Sequence, residues 1–210
     1  MPKKKPLVSS SLPLFSSNIL NDGTTAIGAM KDRCLTCTLC KLHETRTNVV
    51  FGEGLMCEPK IAFVGEGPGR NEDEQGRPFV GDAGDVLMRW LASIRMTRDQ
   101  VYICNTVNCR PPKNRTPEED ELEACSTYLH GQLLAVKPKV IVALGATAAK
   151  ALARSSKAIG ELRGQWLQWN DIPLRATYHP AYILRNAAAE EVVLKDFERI
   201  ALKLETLCIA

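Results

Sequence analysis

The chain is expected to fold as an α/β protein, a three-layer α/β/α sandwich around a short, mainly parallel central sheet. Short apolar runs at Lys60–Gly65, Val101–Val107 and Val140–Leu144 have the length and composition of buried strands. Segments of helical period separate them, and strands that alternate with helices build parallel sheets covered by helices. The runs end in glycine or polar residues, at Gly65, Asn105 and Gly145. In such folds ligands bind beyond the carboxyl ends of the strands.

Taken in order, residues 1–28 are expected to be a flexible N-terminal tail, rich in Ser, Pro, Asn and Gly without a sustained period. The folded domain is expected to span 29–210. After the first strand, Val86, Leu87, Trp90, Leu91 and Ile94 recur at helical spacing. Pro117 followed by Glu118 and Glu119 reads as a helix opening with Thr116 as its cap, running to about Val136. An Ala-rich helix comes after Gly145. Gln165–Trp169 and Pro173–Tyr178 flank Asn170-Asp171 and predict a hairpin, and Glu190–Leu207 predicts a closing helix.

The chain has 210 residues, with 24 % charged and 45 % apolar, enough for one domain with its own core. A net charge of +3 does not by itself mark a nucleic-acid binder, although a local basic patch is compatible with it. Lys3, Lys4 and Lys5 resemble the start of a signal peptide, but Ser9, Ser10, Ser11 and Pro13 break up the apolar stretch that a signal peptide would need next. No apolar run approaches the roughly 20 residues of a membrane span. The expectation is a cytoplasmic protein in a reducing compartment, with no membrane contact. There, a count of 8 cysteines argues for metal or cluster ligation over disulfides.

The glycine-rich turn Gly65-Glu66-Gly67-Pro68-Gly69 departs from both common nucleotide-binding patterns. The dinucleotide motif needs glycine where Arg70 stands, and no Gly-Lys-Ser/Thr comes next for a P-loop. The turn can still bring backbone N–H groups close to a ligand at Gly65 and Gly67, with the carboxylates of Glu66, Glu72 and Asp73 nearby. Cys37 and Cys40 form C-x-x-C, preceded by Cys34 at the same spacing, and Cys109 and Cys125 are the best further pair. Four thiolates suit a tetrahedral zinc or a [4Fe–4S] cluster, and spacing does not separate the two. Cys57, Cys104 and Cys208 are expected to be free thiols.

From about Cys37 to Asn186 the sequence resembles the family 4 uracil-DNA glycosylases, the iron–sulfur branch of their superfamily. The residues that carry the likeness are C-x-x-C-x-L (Cys37 to Leu42), F-G-E-G (Phe51 to Gly54) and G-E-G-P-G-x-x-E-D (Gly65 to Asp73). They continue as G-R-P-F-V-G (Gly76 to Gly81), N-x-x-x-C-R-P-P-x-N-R (Asn105 to Arg115), R-G-Q-W (Arg163 to Trp166) and H-P-A-Y-I-L-R-N (His179 to Asn186). The resemblance implies one [4Fe–4S] cluster on Cys37, Cys40, Cys109 and Cys125, with Cys34 as an extra thiol outside the family pattern.

The same resemblance implies hydrolysis of the N-glycosidic bond of a flipped-out deoxyuridine in uracil-containing DNA, by a monomer. Phe79 would stack on the base, and Asn105 would read it, donating to O4 and accepting from N3–H. His179 would donate to O2 as negative charge builds there, while Glu66 or Glu72 would position water or steady the cationic sugar. Gly65, Gly67 and Asn114 would line the substrate pocket. Arg110, Lys113 and Arg115 would meet phosphates, and Tyr182, Ile183, Leu184 and Arg185 could fill the gap left by the flipped base. A related branch traps uracil-DNA through a histidine in a basic insertion. Arg110–Arg115 has none, the histidines being His43, His130 and His179, so turnover is expected.

Ser11-Leu-Pro-Leu-Phe15 resembles the short peptides that dock sliding clamps, without their usual leading Gln. The competing reading is a cluster- or zinc-stabilised DNA-binding module that has lost catalysis. A complete set of Glu66, Phe79, Asn105 and His179 favours the enzyme.

Overall fold

The structure is a computed structural model that describes residues 23–208. Its sheet contains β1 (Glu53–Gly54), β2 (Ile61–Gly65), β3 (Tyr102–Asn105), β4 (Val140–Leu144), β5 (Trp166–Trp169) and β6 (Ile172–Thr177), in the order β1-β3-β2-β4-β6-β5. The inner strands β3, β2, β4 and β6 are parallel, and β1 and β5 close the edges antiparallel. Every residue of β2, β3 and β4 is buried, as expected for a sheet covered on both faces.

Side chains alternate along each strand and so divide into two cores. Ala62, Val64, Tyr102, Cys104, Ile141 and Ala143 pack with α1 (Gly23–Leu35), α4 (Glu119–Val136) and α5 (Ala146–Ala153). Ile61, Phe63, Ile103, Val140, Val142 and Leu144 pack on the opposite face with α3 (Asp82–Ser93) and α8 (Glu190–Cys208). Three layers result, as the alternating pattern predicts.

Several details differ from expectation. Residues 23–28 belong to helix α1, which runs to Leu35; Ala26, Ile27, Met30 and Cys34 are buried on one helical stripe. Gly23, Gly28 and the polar residues between them hide that stripe in the sequence. Helix α4 is capped at Glu118 rather than Thr116, and the Glu121 carboxylate accepts the Glu118 N–H at 2.8 Å. The second strand covers only Tyr102–Asn105 of the apolar run. Short helices α2 (Arg70–Gln75), α6 (Ile159–Leu162) and α7 (Pro180–Arg185) are too brief to show in the periodicity. The hairpin between β5 and β6 forms with Asn170 in the left-handed region, the turn chemistry that a two-residue loop requires. The Ser11–Phe15 segment lies outside the described residues.

Candidate functional site

The four parallel strands end at one edge of the sheet, and a cleft of about 610 Å³ opens there. Glu66, Gly67, Glu72, Phe79, Asn105, Asn114, Arg115, His179 and Arg185 all line it. Residues more than a hundred positions apart in the sequence thus meet because the strand register aligns their ends. Gly65 pairs with Asn105, and Leu144 with Thr177, two residues before His179.

Gly65 has to be glycine at this crossing. A Cβ there would stand 2.4 Å from Asn105 Oδ1 and 2.6 Å from the Phe79 ring. Gly145 (φ +89°) makes room for His179 in the same way, with a Cβ falling 3.0 Å from the histidine's own Cβ. Phe79 is itself held in the left-handed region at φ +51°, an arrangement that costs a non-glycine residue roughly 1–3 kcal/mol. Arg98 supports it, donating to the Phe79 carbonyl at 2.9 Å and to the Pro78 carbonyl, while Glu53 binds Arg98 and Arg77 from behind. The Phe79 and His179 rings lie 5.8 Å apart, centre to centre.

Asn105 is 2 % exposed, yet its Oδ1 has no hydrogen-bond partner in the protein. Buried acceptors are almost always satisfied, so this one is available to a ligand. His179 caps α7, and its Nδ1 accepts the Ala181 N–H at 3.1 Å. A backbone N–H can only donate, so the neutral ring carries its proton on Nε2. Burial, reinforced by Arg185 and opposed by Glu72, lowers its pKa to about 4.

The two carboxylate candidates separate clearly. Glu72 accepts from the backbone N–H groups of Val80 and Gly81, each at 2.9 Å, and of Gly69 at 3.1 Å. It ties the glycine-rich turn to the Phe79 loop, and those bonds occupy both oxygens. Glu66 instead receives one hydroxyl, from Thr147, and stays partly exposed in the cleft.

The outer loops give a mixed result. Arg110 donates to Asn114 Oδ1 at 2.7 Å, and Lys113 is exposed beside it. Arg115 forms a bidentate pair with the buried Glu121 at 2.7 and 2.8 Å and stays partly exposed at the cleft. Leu184 is 52 % exposed and Arg185 is also exposed, but Ile183 is buried in the core and cannot act as a wedge. His43 bonds the Cys40 carbonyl and His130 packs on Trp169, both away from the cleft. Arg98 and Thr147 carry no signal in the sequence, since their importance rests on contacts 19 and 81 residues away.

A second cavity, on the α1–α4 side, is lined by Cys34, Cys37, Cys40, Cys109 and Cys125, together with Arg46, Asn108 and Tyr128. Arg46 donates to Cys109 Sγ at 3.1 Å, and Asn108 to Cys34 Sγ at 3.2 Å. Burial pushes the Cys34 thiol up to about 12 and raises Cys40, Cys109 and Cys125 as well. Soft thiolates select zinc or iron–sulfur centres, and a bound metal removes their protons outright, so the donor set fits a metal centre. Among the described residues no three such side chains converge on a point that a single ion could occupy. Cys57 is exposed and Cys104 is buried in the core, both free.

Comparison with known proteins gives consistent matches. The family model for the uracil DNA glycosylase superfamily matches residues 51–202. A type-4 uracil-DNA glycosylase of Thermotoga maritima is 47 % identical over 174 residues, which is 81 % of this chain and 90 % of that protein. One from Sulfurisphaera tokodaii is 43 % identical over 180 residues, 81 % of each chain. A type-5 uracil-DNA glycosylase of Pyrobaculum aerophilum is more distant, at 30 % over 163 residues, covering 62 % of this chain and 72 % of its own.

Proposed function

The chain belongs to the uracil DNA glycosylase superfamily and, within it, to the type-4 enzymes, and on that premise we propose that the cleft holds a flipped-out uracil read by Asn105. It is a DNA glycosylase that hydrolyses the bond between uracil and deoxyribose and leaves an abasic site for repair. The observation that carries the assignment of the pocket is the buried, unpartnered Asn105 Oδ1 beside Phe79 and His179.

Uracil N3–H supplies the donor that Oδ1 lacks, and the Asn105 amide N–H meets O4. Cytosine offers a bare N3 and an amino group at those positions, so both contacts become mismatched. Phe79 stacks on the base, worth roughly 1–3 kcal/mol against the cost of flipping. As the bond breaks, His179 Nε2–H donates to O2, where negative charge collects. Glu66 positions the attacking water and offsets the positive charge on the sugar. Glu72 holds the two loops that carry these groups. Arg110 and Lys113 contact phosphates, and Leu184 with Arg185 fills the vacated place in the duplex.

Cys37, Cys40, Cys109 and Cys125 would hold a [4Fe–4S] cluster. Thiolates suit zinc and iron–sulfur centres alike, and the likeness to the iron–sulfur branch of the family favours the cluster. Its contribution would be structural, joining the segment after α1 to the β3–α4 connection and to α4 itself.

The direct test incubates the protein with a uracil-containing oligonucleotide and then applies alkali. Strand breaks at uracil are expected; their absence from a folded protein with its metal in place would favour a module that binds DNA without cutting it. Glu66→Gln retains the hydrogen-bonding shape but loses the charge, and is expected to lower kcat about tenfold to a hundredfold. Arg98→Ala frees the Phe79 loop without touching the base. It should raise KM about tenfold with a smaller change in kcat, a fraction of the stacking energy, and Arg98→Lys should recover part of the loss. Equal effects of Arg98→Ala on kcat and KM would place Arg98 outside base positioning.

A further inference from the structure

We propose that Cys34 is a fifth thiol of the cluster site, able to replace Cys37 as a ligand. The inference rests on the cluster reading above. Cys34 lies in the last turn of α1, lines the same cavity as the other four cysteines, and is 2 % exposed. Cys37 N donates to the Cys34 carbonyl at 3.1 Å, so the two thiols belong to one tight turn.

Asn108 marks Cys34 as more than core filling. Its side chain is 2 % exposed, it donates to Cys34 Sγ at 3.2 Å, and its own Oδ1 has no partner. A buried amide dedicated to a sulfur is the arrangement that steadies a thiolate bound to iron, where hydrogen bonds to sulfur tune the cluster. Cys37 and Cys40 are partly buried while Cys109 and Cys125 are buried, so the C-x-x-C pair is the side of the site more open to oxidants, and within it Cys37 is the one bonded through its backbone to Cys34. The exchange is a plain ligand substitution. In that exchange Cys34 would give up a proton and Cys37, on leaving, would take one up, so neither net charge nor oxidation state would change.

Iron and acid-labile sulfide per chain, with absorbance near 400 nm, read the outcome in anaerobically purified holoprotein. Cys34→Ala is expected to keep a full cluster and Cys37→Ala at least half. Cys40→Ala and the double variant Cys34→Ala/Cys37→Ala are expected to lose it. Cys37→Ala as empty as the double variant overturns the inference, and so does loss of the cluster in Cys34→Ala alone. Wild-type protein without iron and sulfide would instead overturn the cluster reading itself. Should Cys37→Ala not fold, the decay of the 400 nm band in air is compared between wild type and Cys34→Ala. Faster decay in the variant supports a reserve ligand, and equal decay rejects it.

Discussion

Replacing Asn105 with alanine is expected to lower uracil excision on the order of 10³-fold while leaving the melting temperature unchanged or slightly raised. The two effects have one origin. Asn105 Oδ1 is buried without a partner, so the resting protein bears the cost of an unsatisfied acceptor, about 1–3 kcal/mol. Alanine removes that cost along with both contacts to the base. Sites built to hydrogen-bond a substrate lose about 10⁴–10⁵ in discrimination when a partner is missing, and a single truncated side chain falls somewhat short of that. Asn105→Asp adds a buried carboxylate facing uracil O4 and should excise no faster than the alanine variant. Single-turnover rates on a uracil oligonucleotide, measured beside thermal unfolding, check the pair. A large fall in melting temperature with Asn105→Ala would mean that the side chain supports the fold rather than reads the base.

That split between stability and activity also explains which residues are legible in the sequence. Asn105, Phe79 and His179 are legible through their motifs, and the sheet is legible because fully buried strands stay apolar along their length. The groups that hold the site in shape are hidden. Nothing near Glu72 in the sequence says that its carboxylate bonds Val80 and Gly81, since that depends on how the Phe79 loop folds back. Arg115 looks like a free cation in a basic loop until Glu121, six residues on, is seen to be buried against it. Ile183 sits in an exposed-looking motif, but the pitch of α7 turns it into the core. In each case local pattern gave the residue type, and a contact made only by the folded chain decided its use.

The cleft concentrates cost on its functional side chains and stability on their supports. Asn105 lacks a partner, Phe79 sits at positive φ, and His179 is held neutral, while Glu72 accepts three backbone N–H groups and Arg98 donates to two carbonyls and to Glu53 around them. Strain collected at the side chains proposed to meet the base, and relieved next to them, is what a preorganised site requires.

His179→Ala is expected to reduce kcat by about 10²–10³-fold with little change in KM, because the donor it removes matters only once charge reaches O2. The pH dependence has its origin in the same geometry. A histidine in an unfolded chain titrates near 6.5, and His179 in the folded protein near 4. The unfolded state therefore binds more protons between these values. The contribution of His179 to stability is complete above about pH 6.5 and is lost as pH falls toward 4. Activity should behave differently, with no acid limb from His179 between pH 7 and 5, since the ring that donates from Nε2 is already neutral there. Protonating Nδ1 would place a second N–H against that of Ala181, so the cap itself opposes the charged form. Rates from pH 4 to 8, with wild type and His179→Ala side by side, test this. A wild-type rate that falls as pH rises through about 6.5, and does not in the variant, would show that the working form is the imidazolium, contrary to the neutral donor argued from the Ala181 bond; an acid limb near 6.5 would show that His179 is not held neutral by its burial.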